Sequence, residues 1–196
     1  MIETVSVKKL IRSKKGQSLI ELTLIFPLML LMVYGVVEVG QIISTYLTLT
    51  HTTREGANLA SRGTPPNTAL DAIILAADPT IRNDNLSQWQ IIYTEIIQAP
   101  DTACLTPPTG CTYMVSDKVD GQIYRGSFGQ SSKLGGAGTI ITPSILPGIE
   151  NVIAGQIFKA IEVFYDYGPN VITFIGNNID KTFYDRTIFT KVDGQA

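Results

Sequence analysis

Residues 14–40 read KKGQSLIELTLIFPLMLLMVYGVVEVG, and the fold turns on what that stretch is. From Leu19 to Val39 it carries 21 residues whose only formal charges are Glu21 and Glu38, one near each end. A helix of that length rises roughly 31 Å, about one hydrocarbon core. Pro27, Gly35 and Gly40 would weaken a helix in water, but helices in lipid tolerate them. Few core helices of soluble proteins are so long and so apolar, so the pattern reads as a transmembrane span over about residues 19–39. Glu21 then stands just inside lipid, where a carboxylate costs about 2.5–3.5 kcal/mol on insertion scales and so calls for a reason. Glu38, near the other boundary, reads as an interfacial residue.

Toward the N-terminus, residues 1–15 carry Lys8, Lys9, Arg12, Lys14 and Lys15 against Glu3 alone. Positive-inside bias keeps this end in the cytoplasm and puts the rest of the chain outside the membrane. Removing those five basic residues and Glu3 from 15 Lys+Arg and 17 Asp+Glu leaves 10 against 16, a net of −6. That balance argues against a nucleic-acid partner. An ordinary secretory signal fits less well. The apolar run exceeds the usual h-region of about 7–15 residues, contains Pro27, and has no A-x-A site behind it. Ala57 and Ala60 are too far apart for that signature.

Toward the C-terminus the helical pattern continues. Ile42, Ile43, Tyr46, Leu49, Ala57 and Ala60 recur at three- and four-residue steps, so one helix is expected from Ser18 to Arg62, although its Ser and Thr content lowers helix propensity. Gly63-Thr64-Pro65-Pro66 ends it. Thr68, with Asp71 three residues on, is expected to cap a second helix running to Ala77. Trp89–Gln98 is rich in β-branched and aromatic residues and reads as a strand, with Tyr113–Val115 and Gln122–Tyr124 as shorter ones. Over 157–167 the alternation turns Ile161, Val163, Tyr165 and Tyr167 to a core and Glu162 and Asp166 to solvent. Phe164 departs from it and is assigned to the long helix or a partner. An apolar segment, Val171–Ile175, leads to a last strand over Lys181–Val192. The fold class is α+β, a long N-terminal helix packed on a small antiparallel sheet. The expected domains are a basic leader (1–16), the long helix (17–63), and a periplasmic or extracellular α+β domain (64–196).

Catalytic chemistry is not legible. His51 sits in a helical segment with no nucleophile or orienting acid in view. Asp180/Asp185 and Glu162/Asp166 read as solvated strand faces. Gly-Gly-Ala-Gly at 135–138 lacks the spacing and the Lys-Thr of a phosphate loop. No catalytic, cofactor-binding or metal-binding residue is assigned. Cys104 and Cys111 flank a Pro/Gly-rich turn and lie outside the membrane, which suits a disulfide-closed loop; two unpaired thiols are the alternative. Two cysteines without a His cluster make no zinc site.

The segment GQSLIELTLIFPLMLLMVYGVVEVGQ, continuing to TREGANLASRG, closely resembles the TadE-like family, pilin-like proteins of the tight-adherence branch of type IV pili. The resemblance is strong over about 17–63 and weaker beyond, where VFYDYGP and a last strand look like the family's C-terminal half. It implies a pilin-like fold and a precursor cut by a prepilin peptidase between Gly16 and Gln17. It also implies that Glu21 meets the new N-terminal amine of a neighbouring subunit during assembly; the plainer reading is a headgroup-level carboxylate that snorkels. Major subunits of such pili are usually much shorter, so the implied role is a minor pilin or pseudopilin in pilus assembly and surface adhesion. Its partners would be other pilins or pseudopilins, an inner-membrane assembly platform and membrane lipid. Its place would be the inner membrane, single-pass, with a cytoplasmic N-terminus. The competing reading is a membrane-anchored periplasmic binding module with no filament role, which would keep residues 1–16.

Overall fold

The computed structural model describes residues 14–78, 86–100, 111–149, 152, 154–168 and 182–191. Helix α1 spans Lys14–Ser61 without a break, Pro27 included. In its Thr-rich part the hydroxyls bond back one turn: Thr48, Thr52 and Thr53 donate to the carbonyls of Ser44, Thr48 and Leu49 at 3.0, 2.9 and 2.6 Å. These bonds satisfy the buried Thr52 and Thr53 hydroxyls, while the buried Thr50 hydroxyl has no such partner. The end of α1 is a Schellman cap. Gly63 takes φ 88°, its N–H bonds the Ala60 carbonyl at 3.3 Å, and the Thr64 N–H bonds the Leu59 carbonyl at 3.3 Å. Glycine bears that left-handed conformation without a Cβ penalty.

Contacts divide the chain into two units, Met1–Ile43 and Ser44–Ala196. In the first, the large apolar side chains of α1 from Leu19 to Val39 are 48% to 74% exposed. In the second, α2 spans Pro66–Ala76. The expected cap at Thr68 is corrected here. Pro65 holds the N-cap position with no side-chain cap, Pro66 opens the helix, and Thr68 lies inside it. Proline's fixed φ suits the first helical position, where no N–H is needed, so the helix starts at Pro66, three residues earlier than a Thr68 cap would place it.

After a 3-10 turn (Leu86–Gln88) come β1 (Trp89–Gln98), β2 (Tyr113–Val115), β3 (Gln122–Gly126), β4 (Ile140–Ile141), β5 (Phe158–Asp166) and β6 (Thr182–Thr190). All pairings are antiparallel, in the order β4-β2-β1-β5-β6, and β3 also pairs β1. β1 meets β3 over Gln90–Thr94 and β2 over Ile96–Gln98, so these two strands follow one another along one edge of β1. The fold is α+β, as the sequence implies. Strand β4 is too short to carry a periodic pattern and was not expected. Val171–Ile175 lies outside the described residues.

Both faces of the sheet are covered. On one, Trp89, Ile91, Tyr93, Ile161 and Val163 pack against Leu49, Ala57 and Ala60 of α1 and Ala69, Leu70 and Ile73 of α2. On the other, Ile96, Phe158, Ala160, Tyr113 and Val115 pack against Leu134, Ile141 and Ile149.

The Arg54-Glu55-Gly56-Ala57 stretch divides between solvent and core. Arg54 and Glu55 are exposed, while Ala57 is fully buried. A Cβ on Gly56 would lie 2.0 Å from Ile73 Cδ1 and 2.3 Å from Cγ1, so the two helices approach as only glycine allows. Gly56→Val should therefore destabilise the full chain by about 1–3 kcal/mol through overpacking, although valine is the better helix former. Adding Ile73→Ala should return part of that loss, since the two sites share one contact. Denaturant melts of the single and double variants in detergent check both outcomes.

Candidate functional site

The junction between Gly16 and Gln17 lies within the described helical residues of α1, Lys14–Ser61. Glu21 follows one turn later and is exposed, among exposed Leu19, Ile20, Leu22 and Leu24. The Thr23 hydroxyl beside it donates to the Leu19 carbonyl at 2.7 Å, so this polar side chain is satisfied within the helix. Glu38, expected to be interfacial, is 6% exposed on a stretch whose neighbours face outward. His51 is exposed on α1. Residues 18–61 contain a window of mean hydropathy 2.2, none of it buried, so α1 is long and apolar enough to cross a membrane.

Comparison with known proteins places this segment. Residues 16–58 match the family described as TadE-like protein. Over these residues the chain is similar to that family. No curated protein and no solved structure matches the chain. The TadE-like segment begins at Gly16 and ends within Gly56-Ala57-Asn58. It thus holds the whole exposed apolar stretch and the Gly56 crossing with α2.

Cys111 is 8% exposed in the second core, beside Tyr113. No free cysteine occurs among the described residues. Cys104 lies outside the described residues.

The largest departure from the sequence reading is Glu162, expected in solvent and found fully buried. Alternation places it on the second face of the sheet with Phe164, and a loop covers that face. The Ser132 hydroxyl donates to Glu162 Oε2, the Lys133 N–H to Oε1 at 3.1 Å, and the Tyr184 hydroxyl to Oε1 at 2.8 Å. Arg186 stands directly opposite Glu162 on β6. Lys133 Nζ lies 3.6 Å from the centre of the Tyr184 ring, and Phe164 stacks against Tyr184 at 4.9 Å. Two amides complete the clasp. Gln90 donates to the Gln130 carbonyl at 2.7 Å and accepts from the Gln130 N–H at 2.8 Å, and Gln122 donates to the Gly135 carbonyl at 2.9 Å. Charge and alternation in β5 said nothing of a covering loop. The only sequence cue was Phe164, a large apolar residue in phase with Glu162.

On the helix-covered face, Lys159 pairs with Glu95, and both side chains are nearly buried. The Tyr93 hydroxyl donates to the same Glu95 oxygen at 3.4 Å. Between α2 and β3 a groove of about 760 Å³ is lined by Asp71, Ile74, Leu75, Leu86, Tyr124 and Arg125 among others. Arg125 is already held by Asn67 at 2.6 Å, with Asp71 at 3.9 Å. The described lining offers no Ser, Cys or His that could act as nucleophile or base.

Burial, and then the neighbouring carboxylates Glu95 and Glu162, push the phenols of Tyr93 and Tyr184 well above the ordinary tyrosine range. The folded chain therefore holds these protons more tightly than the unfolded chain, whose tyrosines titrate near about pH 10. Their contribution to stability is complete below that pH and falls as pH rises above it. Melting temperature should drop above about pH 10, more shallowly in Tyr184→Phe. That variant should also lose about 1.5–3 kcal/mol at neutral pH with its bond to Glu162. Thermal melts across the alkaline range measure both effects.

Proposed function

We propose that this chain is a minor pilin or pseudopilin of a tight-adherence type IV pilus. In this reading residues 19–39 anchor it in the inner membrane, residues 1–16 are a cytoplasmic leader, and residues 64–196 work outside in assembly and adhesion. The TadE-like match over residues 16–58 carries the reading, because it covers the cleavage junction, Glu21 and the exposed apolar helix together. A prepilin peptidase cuts between Gly16 and Gln17. The new ammonium at Gln17 then sits at the positive end of the helix dipole, where it is disfavoured. Glu21 of an adjoining subunit supplies the opposite charge and relieves its own cost in lipid. Other pilins, the peptidase and the inner-membrane platform are the partners. Outside the membrane Cys104 and Cys111 close a disulfide loop.

Mass spectrometry of the protein from its native membranes should find Gln17 as the first residue, and non-reducing peptide maps should find Cys104 linked to Cys111. An intact leader overturns the pilin reading in favour of a membrane-anchored binding module, and freely alkylated thiols overturn the disulfide. Glu21→Ala should preserve membrane abundance, since the segment becomes more apolar, while sharply reducing the number of surface pili. Wild-type piliation at normal abundance would show that Glu21 is a headgroup-level residue only.

A further inference from the structure

We propose that residues 128–137 form a strap that lifts from the sheet as one unit while the sheet itself stays folded. The backbone is pinned just outside the strap at both ends. The Ser127 N–H bonds the Leu86 carbonyl at 2.7 Å, and the Gly138 N–H bonds the Val115 carbonyl at 2.9 Å. Between these pins, among the described residues, the strap makes no backbone-to-backbone hydrogen bond to any strand. Side chains hold it instead. The Gln90 amide grips both main-chain groups of Gln130, Glu162 accepts from the Ser132 hydroxyl and the Lys133 N–H, and Gln122 donates to the Gly135 carbonyl. Leu134 is its one fully buried apolar side chain.

Few buried apolar contacts, and attachments that lie outside the sheet's own ladder, are the marks of a segment that opens locally. Gly129 and Gly138, at φ 78° and 79°, flank the anchored residues, and a Cβ on either would meet nothing within 4 Å. The backbone is therefore free to turn at both ends of the strap. The anchors release together because they share atoms. The Ser132 hydroxyl that donates to Glu162 also accepts the Leu134 N–H at 3.1 Å, and Glu162 Oε1 takes both the Lys133 N–H and the Tyr184 hydroxyl. Freeing Glu162 thus loosens Ser132, Lys133 and Leu134 at once. Beneath the closed strap Glu162 is fully buried. Lifting the strap presents its carboxylate, beside the Tyr184 phenol, on a sheet face that is otherwise largely apolar. The device is a cover that hides or displays a carboxylate–phenol pair.

Hydrogen exchange of the full chain in detergent, read at single amides and corrected for intrinsic rates, tests this. The reference amides are Ile92 and Tyr93 of β1, a strand paired on both edges. The Gln130, Lys133 and Leu134 amides should exchange at least roughly a hundredfold faster than these. Low urea should leave the strap rates unchanged, since little surface opens. Gln90→Ala should speed Lys133 and Leu134 about tenfold, although neither amide meets Gln90, and Glu162→Gln should speed Gln130 by a similar factor. If urea speeds the three strap amides as steeply as Ile92, the strap opens only when the sheet unfolds, and the proposal is overturned. If each variant speeds only the amides it touches, the strap frays piece by piece, and the proposal is overturned as well. The urea series uses the unaltered chain, so it decides even where a variant fails to fold.

Discussion

A single helix here presents one continuous apolar surface and then, without interruption, one side of a folded core. From Leu19 to Val39 every large apolar side chain points outward at 48% to 74% exposure. Such a surface far exceeds the scattered patches tolerated on soluble proteins and marks a place of contact with lipid or protein. Farther along, Leu49, Thr53, Ala57 and Ala60 are buried in the core formed with the sheet and α2. The side-chain sizes follow the change. Bulky branched residues serve the outward stretch, where nothing limits their reach. Small residues serve the inward stretch, where α2 approaches within the radius of a methyl group at Gly56.

How much of this was legible follows from the reach of each signal. The long helix, the strand Trp89–Gln98 and the last strand rest on local composition and period, and they appear with bounds within a few residues of those expected. Helix α2 was misread at its start because Thr68 and Asp71 match a capping box as a string, while proline's fixed φ at Pro66 governs the backbone. Glu162 was misread because strand alternation tells only that two faces differ. It does not tell whether the second face meets water or a loop from 30 residues away. The proposed processing and assembly residues, Gly16, Gln17 and Glu21, rest on the leader, the charge and the family resemblance. The buried state of Glu38 was not legible, since nothing in its neighbourhood of sequence distinguishes it from an interfacial carboxylate.

The two cores are built on different principles. The helix-covered face is sealed by aliphatic and aromatic side chains, with the Glu95–Lys159 pair on the same face of the sheet. The loop-covered face combines an apolar cluster with a carboxylate and two amides that reach main-chain groups of residues 130–135. A buried carboxylate is tolerable there only because three donors converge on it. Removing one donor leaves the rest of the cost in place, which makes the network more sensitive to single changes than the apolar core beside it.

That loop also makes the sheet answerable for its own alignment. Its anchors come from three strands: Gln90 on β1, Gln122 on β3 and Glu162 on β5. All three point to the same side only when every strand is paired in its native register. A slip of one residue in any strand would swing its anchor to the opposite side of the sheet. The hydrogen bonds that seat the loop would then be lost together with the apolar contacts of Leu134. The loop acts as a proofreader, closing only over a correctly aligned sheet.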